Sequence, residues 1–333
     1  MPPEVSIIIV NWNGLQYLDV CLRAVAAQEG VSSETIIVDN GSTDGSAAFV
    51  RAHFPWVRVV ALSENRGFAG GNNAGAREAS GRYVAFLNND TAVEPGWIGA
   101  LAGGIDAASG FVLTTSRVVY MHDPGVIDSA GDGLLRWGGA FKRHHGAPAH
   151  VAEQSEEVFG VCGAACLVTK DVFDELGGFD EDFFASHEDV DLSYRARLLG
   201  YRCRYIASAV VRHHGSATLG KMSAFAVFQG QRNLEWSYLK NTPGTLMART
   251  FAGHLLYNAA AAAHFTRLGL LGPFCRAKVA ALGDARKMLR KRATIQRTRR
   301  VAAPAIEAHL DTGWIATKLR EKRFDVSMAE NPR

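Results

Sequence analysis

Short apolar runs alternate with amphipathic segments over the first hundred residues. Val5–Val10 is apolar apart from Ser6 and reads as a first strand. From Leu15 to Gln28 the apolar residues Leu18, Leu22, Val25 and Ala26 recur at helical spacing, and Gly30 closes the segment. Glu34–Val38 is a second strand, Ser42 or Thr43 is placed to cap a helix running through Val50, and Val57–Leu62 is a third strand. Gly71 to Ala79 reads as a helix of small residues, and Tyr83–Leu87 as a fourth strand. This alternation predicts an α/β fold with a mainly parallel central sheet, right-handed crossovers and flanking helices.

The pattern weakens between residues 103 and 160. Phe111–Val119 carries strand signals, Gly131–Gly146 reads as a loop or short hairpin, and Val158–Thr169 is again strand-like. Ser186 to Leu199 predicts a helix with Gly200 just past its end. Tyr201–Ile206 and Ala209–His213 read as two short strands. Beyond about residue 220 the chain becomes helical, with an Ala- and Leu-rich stretch at Leu246–Phe274. This suggests a domain over residues 1–220 and a helical, basic C-terminal appendage over 221–333, with a polar, frayed tail beyond Asp325.

Composition narrows the class. At 333 residues, 47% hydrophobic and 21% charged, the chain is a folded protein and not a disordered one. Val5–Val10 is too short for a signal-peptide core, and no apolar run reaches the ~18 residues that would predict a spanning helix. The five scattered cysteines contain no pair of CxxC units, which disfavours a zinc ribbon; buried free thiols in a reducing cytosol are expected instead. The net charge of +3 hides one asymmetry. Between Arg276 and Arg300 ten basic residues face the single acid Asp284, a net charge of about +9. That segment can be an ordinary packed helix, a lipid-facing surface or a nucleic-acid surface. No nucleic-acid-binding motif accompanies it and few aromatics interleave with the bases, so nucleic acid is not expected.

The candidate chemistry lies in separated stretches rich in carboxylates and amides. Asp39 follows Ile36-Ile37-Val38 and precedes Asn40-Gly41-Ser42-Thr43-Asp44; Asn88-Asn89-Asp90 follows Phe86-Leu87. Both acids should sit at C-terminal strand ends, where open α/β sheets bind ligands. Taken alone, each is equally a strand-to-helix or Asx turn. Glu64 to Gly75 is a Gly- and Asn-rich loop without Rossmann spacing, whose following helix can offer free N–H groups to phosphate. Gly177-Gly178-Phe179-Asp180-Glu181-Asp182-Phe183-Phe184 leads into His187-Glu188-Asp189-Val190-Asp191, and His213-His214 follows an apolar strand. Helix N-termini favour acids in any case, so surface carboxylates are the bland alternative for residues 188–191.

In order and wording these segments, over roughly residues 4–240, resemble family 2 inverting glycosyltransferases of the GT-A fold, in particular their bacterial rhamnosyltransferase-like branch. The resemblance implies a nucleoside-diphosphate sugar donor, dTDP-L-rhamnose foremost, and a polysaccharide or polyprenyl-linked acceptor. It implies a divalent metal, Mg²⁺ or Mn²⁺, and work at the cytoplasmic face of the cell membrane with peripheral contact through the C-terminal region. Asp39 would recognise the nucleotide base, with Asn11, Trp12, Asn13, Asn40 and Ser42 around it. Asn65, Gly67, Phe68 and Asn72 belong to the donor loop. Asn88-Asn89-Asp90 stands where the family has Asp-x-Asp, so Asn88 and Asn89 would face the donor while Asp90 holds the metal. Having amides where the family has carboxylates implies weak metal binding without the donor. His213, preferred over His214, would complete the metal site, while Arg212 is an alternative contact to phosphate. Asp189 would be the general base and Glu188 an orienting residue, with Cys166 and Asp191 on the acceptor side. Gln231-Arg232-Asn233 also matches the branch, without a derivable role. Four alternatives stand beside this: a UDP- or GDP-sugar transferase, a non-catalytic carbohydrate module, a processive polysaccharide synthase, and a nicotinamide oxidoreductase, which the glycine spacing disfavours. A processive synthase is disfavoured by the lack of a Gln-x-x-Arg-Trp motif.

Overall fold

A computed structural model describes residues 3–215, 223–313 and 315–317. The predicted frayed tail lies outside the described residues. The strands are β1 (Val5–Asn11), β2 (Ser33–Asn40), β3 (Arg58–Leu62), β4 (Tyr83–Asn88), β5 (Thr91–Val93), β6 (Phe111–Tyr120), β7 (Ile127–Ser129), β8 (Asp132–Leu134), β9 (Ala140–Lys142), β10 (Glu156–Val158), β11 (Ala165–Thr169) and β12 (Arg202–His213). The helices are α1 (Leu15–Ala26), α2 (Ser46–His53), α3 (Gly67–Glu78), α4 (Trp97–Gly103), α5 (Lys170–Glu175), α6 (Glu188–Leu198), α7 (Ala224–Asn241), α8 (Gly244–Arg267), α9 (Leu271–Gly283), α10 (Ala285–Thr298) and α11 (Ala303–Glu307).

The central sheet runs β10-β12-β6-β11-β4-β1-β2-β3, with β5 and β7 on its flanks. The first four strands pair in parallel, as βαβ crossovers require. β11 then enters antiparallel between β4 and β6, while the longest ladder beyond it, β6 with β12, is again parallel, so the central sheet is mixed but mainly parallel by paired length. The apolar strands are buried on both faces. One core packs Ile8, Val38 and Phe86 against Phe173 and Phe179; the other packs Ile7, Ile9 and Leu87 against Leu18, Leu22 and Trp97. Trp97 is fully buried and donates its indole N–H to Ser116 Oγ at 2.9 Å. Its helix, α4, carries too short an apolar pattern to stand out in the sequence.

Four local predictions shift for identifiable reasons. Helix α2 starts at Ser46, after Gly45 at φ +87°, and the Asp44 carboxylate accepts from Ser46 N–H; Ser42 instead accepts from Asn13 N–H. Helix α3 begins at Gly67, one turn earlier than the small-residue run suggested. Its Gly71 and Gly75 lie flat on β1, where a Cβ at Gly75 would overlap Ile8. The strand-like run 158–169 breaks into β10 and β11 around a loop at residues 159–164, and the two short strands after residue 200 are one bulged strand, β12.

The C-terminal helices pack directly on the sheet domain. Lys240 of α7, 1% exposed at its side chain, lies 2.5 Å from Asp180 and 2.7 Å from Asp191. Lys291 of α10 also pairs with Asp180 and with Asp182. Four of the five cysteines are buried free thiols and Cys275 is exposed.

Candidate active site

Parallel pairing aligns Asn11 with Asp39 and Val10 with Asn88, so the ends of β1, β2 and β4 meet at one edge of the sheet. Amides tie these ends together. Asn89 Nδ2 donates to Asn11 Oδ1 at 2.6 Å, and Asn11 Nδ2 donates to Ser42 Oγ at 3.3 Å. Asn13, at φ +50°, accepts from Thr43 N–H at 2.8 Å. Asn40 donates to Asn65 Oδ1 and to the Gly67 carbonyl, both at 3.0 Å, and accepts from Arg66 N–H. Much of the amide-rich signature is therefore scaffold. Asp39 differs: it is 7% exposed, and its Oδ1 is buried with no hydrogen-bond partner. A buried acceptor left open is costly unless a ligand donor fills it.

Beyond this edge lies a cavity of about 650 Å³, walled on the donor-loop side by Trp12, Asn40, Asn65, Gly67 and Phe68 and at its floor by Asn88, Asn89 and Asp90. Asn72 is buried behind the loop, donating to the Phe68 carbonyl at 3.0 Å, so it supports the wall without facing the cavity. The opposite wall is Cys162, Gly163, Ala164 and the run Phe184–Ser186, ending in Glu188 and Asp189.

Asp189 Oδ2 accepts from Gly163 N–H and Oδ1 from Val190 N–H, both at 2.8 Å. Burial raises its pKa, opposed in part by those two N–H groups. Glu188 is pushed well above the usual carboxylate range by burial and then by the neighbouring Asp189 charge, and its Oε2 has no partner. Two cavity-facing carboxyls with raised proton affinity are the pattern of acid–base chemistry.

The third feature joins Asp90 and His213, which are 85 residues or more from their partners in sequence. His213 Nε2 lies 3.2 Å from Asp90 Oδ1, and its Nδ1 lies 2.8 Å from Asp128 Oδ2. Burial lowers the pKa of His213, but hydrogen bonds and charge from both carboxylates outweigh it and push it up to about 9. Asp128 is held well below its ordinary value: burial opposes this, and Lys142, His145 and His213 overcome it. A carboxylate on Nδ1 orients Nε2 toward Asp90, which suits a cation between them. Among the described residues no group of three His, Cys, Asp or Glu is placed to hold a metal ion, so Asp128 orients His213 and the pair alone would supply the protein ligands. The donor set therefore fits a divalent ion whose other ligands come from substrate oxygens.

Asp128, Lys142 and His145 carried no sequence signal. Asp128 is a single acid in a three-residue strand, Lys142 lies in the hairpin, and His145 read as plain loop; yet Lys142 lines the cavity and pairs with Asp128 at 2.8 Å. Three expectations are corrected. Cys166 sits on β11 opposite Phe86 and Thr115, 0% exposed in the core, so it does not face an acceptor. Asp191 turns away from the cavity, accepting from Arg195 Nε and Asn241 Nδ2 at 2.8 Å and pairing with Lys240. Arg212 pairs with Glu94 at 2.5 Å on the exposed side of β12 and does not line the cavity, while His214 packs on Tyr17.

The glycosyl transferase family 2 model matches residues 6–177. The succinoglycan biosynthesis protein ExoO of Rhizobium meliloti is 36% identical over 122 residues, 36% of this chain and 35% of that protein. The N-acetylglucosaminyl-diphospho-decaprenol L-rhamnosyltransferase of Mycobacterium tuberculosis is 29% identical over 246 residues, 66% of this chain and 79% of that protein. Among solved structures, the mannosyltransferase PcManGT from Pyrobaculum calidifontis, in complex with GDP-Man and Mn²⁺, aligns with a TM-score of 0.54 and 18% identity over 96% of this chain and 87% of that chain. GalNAc-T7 with UDP, GalNAc and Mn²⁺ aligns at 0.58 and 16% over 72% of this chain and 48% of that one. These likenesses share the GT-A fold. With half of its length matched by the family model, the chain belongs to glycosyl transferase family 2.

Proposed function

We propose that the chain is an inverting, metal-dependent glycosyltransferase that moves L-rhamnose from dTDP-L-rhamnose to a lipid-linked or polysaccharide acceptor of the cell surface. The observation that carries the reaction is one cavity holding Asp189, Glu188 and the Asp90–His213 pair, with the open acceptor of Asp39 at the same sheet edge. The donor sugar rests on the mycobacterial rhamnosyltransferase relative.

Asp39 Oδ1 accepts from the base, and the ring of Trp12, 43% exposed at the cavity mouth, offers a stacking face. Asp90 and His213 would hold a Mg²⁺ or Mn²⁺ ion, which when bound would supply charge neutralisation for the diphosphate. Lys142 adds a fixed positive charge on that side. Asp189 takes the proton of the acceptor hydroxyl as its oxygen bonds to the anomeric carbon. The bond from that carbon to the diphosphate breaks on the opposite face, and the nucleoside diphosphate leaves with the electron pair. Glu188, whose carboxyl is pushed above the usual range by burial and the neighbouring Asp189 charge, faces the same cavity and orients the acceptor.

Contact with the inner face of the membrane has its own support. Among the described residues no helix is long and apolar enough to cross a bilayer. However, Phe251, Leu255 and Leu256 of α8 and Leu271, Val279 and Leu282 of α9 are exposed, and no acid lies between Glu235 and Asp284. Exposed apolar side chains on two consecutive helices, in a segment whose only charged residues are basic, suit an anionic lipid surface. Co-sedimentation should then be stronger with phosphatidylglycerol vesicles than with neutral ones and weaker in Leu255→Glu; equal recovery from both would remove the idea.

Thermal melting against dTDP-, UDP- and GDP-sugars, with and without Mg²⁺ or Mn²⁺, tests the donor. A ligand at about 100 times its dissociation constant adds about 2.7 kcal/mol, a readable shift. A metal-dependent shift with dTDP-rhamnose is expected. A shift with UDP- or GDP-sugars alone would replace the donor, and none with any would count against the enzyme reading.

A further inference from the structure

The segment that leads into Glu188 and Asp189 holds an unfavourable backbone. Phe184 sits at φ +61°, ψ −66°, and Ala185 N–H donates to the Phe183 carbonyl at 2.7 Å, which makes a γ-turn of the rarer, strained hand. Ser186 and His187 follow at φ +71° and +69°. None of the three is glycine, and such conformations persist only where the surroundings over-determine them.

Arg232 of α7 reaches the Asp182 and Phe183 carbonyls at 3.4 Å, and the Phe184 ring packs on Phe225, but the shortest side-chain restraint comes from the next residue of α7. Asn233 is fully buried, and its Nδ2 lies 2.8 Å from the Phe183 carbonyl oxygen, 3.0 Å from that of Ala185 and 2.7 Å from that of Ser186. One NH₂ group, with two hydrogens, is shared among three converging carbonyls. Its Oδ1 accepts from Arg232 Nε at 3.1 Å, which fixes the end that faces the loop. The loop so held is the cavity wall. Phe184, Ala185 and Ser186 line it, and the Phe184 carbonyl accepts from Ala69 N–H of the donor loop at 3.2 Å. Asn233 itself does not line the cavity.

We propose that Asn233 is a positioning residue for transfer: its carboxamide clamps the loop at 183–186 so that Glu188 and Asp189 face the acceptor while Phe184 closes on the donor loop. The inference rests on the reading of Asp189 as base. It makes α7, which the chain order assigns to an appendage, part of what shapes the site.

The test compares Asn233→Ala and Asn233→Asp with Thr250→Ala, a buried side chain of α8 bonded to Tyr238 and remote from the loop. Asn233→Asp keeps the volume but turns an oxygen toward three carbonyls. All are assayed below their melting temperatures. In both Asn233 variants amide exchange over residues 183–189 should rise and kcat should fall by about 10- to 100-fold, with a much smaller change in donor KM. Thr250→Ala should lower the melting temperature without either effect. Unchanged exchange over 183–189, or a kcat that falls no more than in Thr250→Ala, would overturn the clamp. A wild-type chain without transfer would count against the proposed reaction, and the exchange comparison would still decide the clamp.

Discussion

Replacing Asp189 by Asn separates the proposed base from everything else the side chain does. The carboxylate accepts one N–H on each oxygen, from Gly163 and from Val190. Asparagine keeps one acceptor and turns an NH₂ toward the other donor, so one hydrogen bond is lost at a cost of about 1–3 kcal/mol. The change also removes a carboxyl whose charged form is disfavoured by burial, which offsets part of that cost. The expected net effect on melting is therefore a few degrees at most, at about 2–4 °C per kcal/mol. The effect on transfer is far larger: loss of a general base removes about 10²- to 10⁴-fold in kcat, or roughly 3–5 kcal/mol of barrier. Asp39, Asp90 and His213 are untouched, so donor affinity should stay within about threefold, well short of the tenfold that 1.4 kcal/mol would give. Nucleotide release in the presence of acceptor measures kcat, and calorimetric titration with donor and Mn²⁺ measures binding. Wild-type kcat in the variant, or loss of donor binding in step with activity, would refute the assignment.

Four further outcomes follow from the same geometry. Because the pKa values of Asp189 and Glu188 are raised, activity should grow as pH rises from the ordinary carboxylate range through the raised value of Asp189. Stability should fall over the same interval, since the folded state there binds more protons than the unfolded one; parallel rather than opposed limbs in kcat and melting profiles would contradict it. Lys240→Met leaves Asp180 and Asp191 facing each other without the buried ammonium and should cost about 3–5 kcal/mol, where a loss below about 1 kcal/mol in denaturant titration would show the pairing to be idle. Gly67→Ala demands φ +71° of an alanine and drives its Cβ into the Phe184 carbonyl; it should destabilise by about 2 kcal/mol or more and raise donor KM, and an unchanged melting curve would count against that close approach. Asp128→Asn withdraws the charge that orients His213 and should weaken Mn²⁺ activation about 10- to 100-fold, read from the metal titration of activity.

The order of strands and helices through residue 90 is legible in the sequence because period-2 and period-3.6 patterning is local: each apolar run needs only its own neighbours to define it. The same locality marks Asp39 and Asp90 as strand-end carboxylates. It fails where partners are distant. Asp128 finds His213 across 85 residues, and Asn233 finds Phe183 across 50, with nothing in either neighbourhood to announce the contact. It also fails on direction. Asp189 and Asp191 stand two positions apart on α6, about 200° around the helix, so one meets the cavity and the other is drawn into the ion pairs of α7. Sequence patterning thus determined which elements form and at which strand ends the chemistry can lie. Which acid faces substrate, which histidine reaches Asp90 and what holds the strained loop depend on side chains brought together by long-range packing, and only the tertiary structure decided them.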